Sequence, residues 1–322
     1  MVTIKDIARE LNLSHSVVSR ALNPNPDPNA RVSPATRQLV EDTARRLGFR
    51  RNRIAEFMKR GRAATIGVFL PEYSNRLTAD LMMGISEEAA GNGFPLNFYF
   101  GLSYQSYAGF IRNNIKNPSS GFISYPFNID PSDNIGALFR EYHAAGGKAI
   151  LLNAPPRQDP ALPVLYMDET VGTRAAADCL VAGQCARYLV TTAFAARFRE
   201  FQAYLSAGDC RAIASSDLPA ILRQHRDGRG HFPVGVFATT DEDAMRCLRY
   251  IREAGMEPGR EVLLVGYDDL QLTALTDPPL TTIHQPFRQQ GRRAVAKLIN
   301  TIYGNPEADE AVTPFLVKRA TA

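Results

Sequence analysis

Hydrophobic positions in the first fifty residues recur in three short runs at helical spacing. Ile4, Ile7, Ala8 and Leu11 share one face of a first helix, with Thr3 as N-cap and Asp6 completing a capping box three residues on. Asn12-Leu13 breaks that period, and Ser14 caps a second run whose buried side is Val17, Val18, Ala21 and Leu22. Two short helices meeting at so tight a turn predict a helix-turn-helix. His15, Ser16, Ser19 and Arg20 then fall in or near the outward-facing first turns of the second helix, where a recognition helix meets base edges. The competing reading is an αα-hairpin inside a core, which has little use for so polar an outer face. A third run follows: Ser33 as N-cap, Pro34 at the first helical position, then Leu39, Val40, Thr43, Ala44 and Leu47 until Gly48 ends it. Between the second and third runs, the three prolines and three asparagines of Asn23 to Arg31 predict a protruding loop.

From Ala64 onward the pattern changes to short apolar strands alternating with amphipathic helices. Strands are predicted at 65–70, 96–100, 121–125, 148–152, 187–191, 234–238 and 261–266, and helices at 79–91, 135–145, 170–182, 242–254 and 288–303. Short buried strands separated by helices point to parallel α/β sheet. The run from Arg223 to His231 reads as polar loop.

Charge divides the chain in the same place. Residues 1–62 hold 13 Lys/Arg against 6 Asp/Glu, net +7, and the remainder holds 24 against 27, net −3. A basic head on a slightly acidic body suits phosphate binding through release of condensed counterions, the alternative being a merely solvated face. At 322 residues the chain has length for more than one domain. No segment is apolar enough to span a bilayer and the N-terminus opens on a capped helix pattern, so a cytoplasmic protein with no membrane partner is expected. Cys179, Cys185, Cys210 and Cys247 lack Cys-x-x-Cys spacing, which predicts reduced structural thiols rather than a metal site or a disulfide frame. There is no Gly-rich phosphate loop, no Gly-x-Ser-x-Gly and no metal-spaced His cluster, so no catalytic residue, no enzyme activity and no cofactor are expected.

Several of these stretches together resemble the LacI/GalR family of transcription regulators, the lactose and galactose repressor type. They are Thr3-Ile4-Lys5-Asp6-Ile7-Ala8, Val18-Ser19-Arg20-Ala21-Leu22-Asn23, Val32-Ser33-Pro34-Ala35-Thr36-Arg37 and Leu47-Gly48-Phe49. Asn52-Arg53-Ile54-Ala55 stands where the family has its hinge motif, and Gly266-Tyr267-Asp268-Asp269 and Thr281-Thr282-Ile283-His284-Gln285-Pro286 match two distal signatures. The resemblance implies an N-terminal all-α helix-turn-helix domain (1–50), a hinge (51–62), and an α/β body (63–322). That body is expected to hold two doubly wound parallel-sheet subdomains like those of periplasmic binding proteins. It implies a dimeric repressor on a pseudo-palindromic operator in double-stranded DNA, contacted by Thr3, Ser14, His15, Ser16, Ser19, Arg20, Asn23, Asn52, Arg53, Ala55 and Met58. Met58 matches the hinge residue that wedges into the minor groove, where an unbranched apolar side chain can intercalate. A flexible tether is the alternative for this stretch.

The resemblance also implies a sugar-like small-molecule effector in a cleft of the body. Candidate contacts are Tyr73, Asn75 and Leu77 after the first strand, Tyr125 and the aspartates Asp241 and Asp268 at strand ends, and Arg197 where the family usually has an effector-binding arginine. Strand-end aspartates also serve as helix N-caps, and both roles stay open. The chain departs from the family at Gln184, Glu200 and Arg246 and is short between Phe194 and Val234. The alternative function is therefore a regulator with a degenerate effector domain, governed by a protein partner or by no ligand.

Overall fold

The computed structural model describes residues 2–22, 32–49, 62–71, 76–126, 135–155, 162–205, 210–228 and 233–322. At the N-terminus, α1 (Ile4–Glu10), α2 (His15–Ala21) and α3 (Pro34–Arg46) each start where a hydroxyl can satisfy an orphan helix N–H. Thr3 Oγ1 accepts from the Asp6 amide at 3.4 Å, and the Asp6 carboxylate accepts from the Thr3 amide at 2.9 Å, so the capping box is complete. Ser14 and Ser33 cap α2 and α3 through the amides of Val17 and Thr36. Ile7, Val18, Ala21 and Val40 are wholly buried between the three helices. The Arg37 guanidinium donates to the Ala21 carbonyl at 2.8 Å, so α3 holds the C-terminal end of α2.

The chain folds into two compact units: residues 1–72, 85–164 and 292–309 form the first, and 73–84, 165–291 and 310–322 the second. In the first, β1 (Ala63–Leu70), β2 (Leu96–Phe100), β3 (Ser119–Ser124) and β4 (Ala149–Leu152) pair in parallel in the order β2-β1-β3-β4. Between them run α4 (Arg76–Gly91), α5 (Tyr104–Lys116) and α6 (Ile135–Ala144). Phe110, Phe122, Phe139 and Tyr142 fill one face, with Phe122 and Tyr142 centroids 4.6 Å apart. Gly121 is required in β3, because a Cβ there would lie 2.8 Å from the Lys148 carbonyl oxygen.

The chain passes from the first unit to the second within β5 (Val164–Met167), a strand of the first sheet, and continues with α7 (Glu169–Ala182), β6 (Arg187–Thr191), α8 (Ala195–Tyr204), β7 (Cys210–Ile213), α9 (Leu218–Asp227), β8 (Val234–Phe237), α10 (Asp241–Glu253) and β9 (Val262–Val265). The four-stranded parallel sheet of the second unit has the order β7-β6-β8-β9, the same winding as the first unit. Later come β10 (Thr282–His284), α11 (Phe287–Ile302), β11 (Glu310–Val312) and β12 (Phe315–Val317). β10 and β12 pair antiparallel, and β11 lies parallel to β5. One face of the sheet packs Leu218, Ile221, Leu222, Leu248 and Ile251, the other Ala176, Leu180 and Phe201. In both units the first strand sits beside the third, so the direction of winding reverses there, and the strand ends at that reversal are where doubly wound folds bind ligands.

One expectation is corrected. Residues 223–227 are the last turns of α9 rather than loop, with Leu218, Ile221 and Leu222 buried and Arg223 and Arg226 donating to the carbonyls of Glu253 and Ala254 at the end of α10. The polar run is the outer face and C-terminal end of an amphipathic helix, where basic side chains suit the dipole.

Candidate DNA interface and effector site

In the helix-turn-helix, His15, Ser16 and Arg20 are exposed on α2, while Ser19 is half-buried. Thr3 and Ser14 are exposed at the helix starts, but their hydroxyls are engaged in capping, and Ser14 Oγ also lies 3.0 Å from Ser16 Oγ. The surface presented by α2 is therefore an imidazole, a hydroxyl and a guanidinium on a scaffold fixed by a small apolar core. Asn23, Asn52, Arg53, Ala55 and Met58 lie outside the described residues, as do Tyr73 and Asn75.

The second unit gathers a polar cluster at the reversal of its sheet. Asp168 caps α7 by accepting from the amides of Thr170 and Val171, which places Glu169 at the first helical position. Arg197 stands in the first turn of α8, after β6, and is only 4% exposed. Its Nε donates to Glu169 Oε2 at 2.6 Å and its Nη2 to Glu169 Oε1 at 3.1 Å, a bidentate pair. Its Nη1 donates to the Thr239 carbonyl at 2.8 Å and to Asp268 Oδ1 at 3.1 Å. The guanidinium also lies 3.6 Å over the ring of Tyr267 and 4.4 Å from that of Phe194.

Asp268 and Asp269 follow β9 with φ of +123° and +52°, the left-handed side of backbone space that non-glycine residues avoid. Side-chain bonds hold both in place. Asp268 Oδ1 accepts from Gln285 Nε2 at 2.7 Å as well as from Arg197, and Asp269 is held by Arg319 Nη2 at 2.6 Å and by His284 Nδ1 at 2.9 Å. Asp241, wholly buried, accepts from the Thr282 hydroxyl at 2.5 Å and from the Leu270 amide at 2.8 Å, which ties the loop after Asp269 to the start of α10.

These environments move the titrations in different directions. Burial raises Asp241 to about 7 against its two hydrogen bonds, and raises Asp268 to about 6 against the Arg197 charge. Asp269 is lowered, chiefly by its hydrogen bond with His284 and then by Arg319, with burial opposing. Burial works against the Arg197 charge, but the Glu169 and Asp268 carboxylates outweigh it and hold the guanidinium ionised.

Of the strand-end residues anticipated for an effector, the structure brings Arg197 and Asp268 into direct contact. Asp241 is bonded instead to Thr282 and Leu270, and the cap of α10 is Thr240, which accepts from the Asp243 amide. Leu77 is half-buried in the first turn of α4, and Tyr125 is half-buried just past β3, its amide donating to Phe69 O at 2.9 Å. Sequence reasoning missed Glu169, Thr239, Tyr267 and Gln285. The only signal for Glu169 was a carboxylate at a helix start, which reads as dipole matching. Among the described residues no His/Cys/Asp/Glu group could hold a metal ion, and no helix is long and apolar enough to cross a membrane.

A capped helix-turn-helix followed by two parallel sheets of like winding, with a polar cluster at a sheet reversal, defines a DNA-binding regulator with a ligand-binding type of body. Comparison with known proteins agrees. Residues 3–52 match the model of bacterial regulatory proteins of the lacI family, and residues 173–322 match the periplasmic binding protein-like domain. The chain is 26% identical over 336 residues to the lactose operon repressor of Escherichia coli K12, covering 99% of this chain and 90% of that protein. It is 26% identical to catabolite control protein A of Priestia megaterium (95% and 93% covered) and 27% identical to the ribose operon repressor of Lactococcus lactis (94% and 91%). A solved structure of the lac repressor dimer bound to operator and the anti-inducer ONPF superposes with a TM-score of 0.66 at 22% identity, covering 99% of this chain and 98% of that one. The chain thus carries a DNA-binding domain of the lacI family of bacterial regulatory proteins and a periplasmic binding protein-like domain.

The Asp241 titration has a measurable consequence. Its pKa of about 7 in the folded chain, against 3.8 ordinarily, means the folded state binds more protons than the unfolded between those values. The stability it contributes is complete below 3.8 and is lost as pH rises through 7. Urea unfolding is expected to show the wild type gaining about 2–3 kcal/mol relative to Asp241→Asn between about pH 8 and pH 5. Parallel pH profiles for the two proteins would count against a protonated Asp241.

Proposed function

We propose that this regulator represses transcription as a homodimer on a pseudo-palindromic operator, each α2 reading one half-site in the major groove. The observation that carries the reading is the exposed His15-Ser16-Arg20 surface on a scaffold whose charge excess lies within residues 1–62. Residues 51–62 serve as the hinge between a reading head (1–50) and the α/β body (63–322), with Met58 as the minor-groove wedge. One helix-turn-helix reads only a few base pairs, so pairing supplies the missing affinity. Apolar groups suited to burial between protomers are exposed on both units. Phe100 on the edge strand β2 is 43% exposed, and Leu272 and Leu275, one turn apart, are 60% and 76% exposed. The lac repressor structure above is a dimer on its operator.

The effector in this reading is a small hydroxyl-rich molecule at the strand ends around Arg197 and Asp268. Other solved relatives carry cellobiose (TM-score 0.65) or ribose (0.62). The second reading, a body governed by a protein partner or by no ligand, is favoured by one observation: the Arg197 fork already holds the chain's own Glu169.

Arg20→Ala is expected to cost roughly 1–3 kcal/mol on a specific site and to relax preference at one base pair while sparing random DNA. Equal losses on both in a mobility shift would reduce Arg20 to a phosphate contact. For pairing, Leu275→Asp is expected to shift sedimentation toward the monomer and to weaken operator binding with it. A wild type that sediments as a monomer at micromolar concentration, with and without operator, would overturn the dimer.

A further inference from the structure

We propose that Glu169 decides which effectors the second unit accepts: by filling the fork of Arg197 it leaves a carboxylate surface that admits uncharged hydroxyl-rich ligands and excludes phosphate- and carboxylate-bearing ones. The proposal rests on the strand-end cluster around Arg197 being the effector site. A guanidinium has five N–H donors and, left open, is the side chain best shaped to grip a phosphate or carboxylate through two parallel bonds. Here Nε and Nη2 spend that geometry on Glu169, and Nη1 serves Thr239 and Asp268. Tyr267 and Phe194 cover the guanidinium further.

The two partners are not equally placed. The Arg197 side chain is 5% exposed and that of Glu169 31%, so the carboxylate lies on the solvent side of the pair. Asp268 adds a second carboxylate, and Asp269 is paired with Arg319 and hydrogen-bonded to His284. Around Arg197 there are thus two carboxylates for one cation, and an arriving anion meets like charge before it reaches a donor. An arriving hydroxyl meets acceptors: the outer lone pairs of Glu169 and those of Asp268. A buried arginine whose fork is already filled cannot be claimed by an anion unless Glu169 is displaced, which would strand a carboxylate beside the incoming charge.

The test measures binding of inorganic phosphate to the full chain by isothermal titration calorimetry at fixed ionic strength. Wild type, Glu169→Gln, Glu169→Ala and the double variant Glu169→Ala/Arg197→Lys are compared. Wild type is expected to give no saturable heat. Glu169→Gln, which keeps the shape and removes the charge, and Glu169→Ala, which opens the fork, are expected to bind phosphate at least roughly tenfold more tightly than wild type. The gain disappears when lysine replaces the fork. Circular dichroism and a cooperative melt establish that each variant is folded, and Glu169→Gln carries the test if the alanine variant is not. Phosphate binding to wild type as tight as to Glu169→Gln would overturn the proposal, as would a folded Glu169→Gln that gains none. Failure of the underlying effector reading shows separately, as operator affinity that no neutral sugar changes, whatever phosphate does.

Discussion

A guanidinium withdrawn from water has to be neutralised where it lies, and in the second unit that requirement organises everything around it. Burying an ion costs several kcal/mol, and only close countercharge with nearly every donor satisfied offsets it. Arg197 meets the condition with four hydrogen bonds to Glu169, Thr239 and Asp268. Those groups come from α7, from the end of β8 and from the turn after β9, so a single side chain ties together three segments remote in sequence. The unusual backbone at Asp268 and Asp269 is held by the same logic, since each carboxylate is pinned by a cationic or amide donor. Removal of any one member leaves the others with buried charge, so the cluster is expected to behave as a unit.

The N-terminal domain rests on a different constraint. Its helices are too short to be stable alone, and the six buried side chains from Ile7 to Ala44 form only a small core. Caps at Thr3, Ser14 and Ser33 therefore carry an unusual share of the structure, as does the Arg37 bond to the end of α2. Keeping α2 in place is what holds His15, Ser16 and Arg20 on the exposed side of the head. A recognition surface must leave donors open for bases and phosphates.

Most of the architecture is legible in the chain because it is written locally. Capping residues, the break at Asn12-Leu13 and the proline at the start of α3 act within four residues of the structure they specify. The strands β1 and β8 are mainly apolar runs, and β2 and β6 keep three or four apolar residues each. The elements that escape such reading are amphipathic or short. The second half of α9 reads as loop because the polar residues Arg223-Gln224-His225-Arg226-Asp227 are continuous, while the three buried residues of the helix are spaced at the helical period just before. β7 is four residues with two of them exposed, so no run of apolar residues marks it. At the candidate site, Arg197 and Asp268 are legible through family resemblance. Glu169 is not, because its meaning lies in a partner 28 residues away and nothing in local pattern links a helix-start carboxylate to that arginine.

Sequence-specific reading of DNA by a paired head is the proposed function on which all else in this regulator depends. The direct measurement is selection of binding sites by the full chain from a random duplex library at near-physiological salt. An enriched inverted repeat is expected, its half-sites centred about one helical turn apart. A selected pool without any common sequence would contradict paired reading, and so would a single half-site with no symmetric mate.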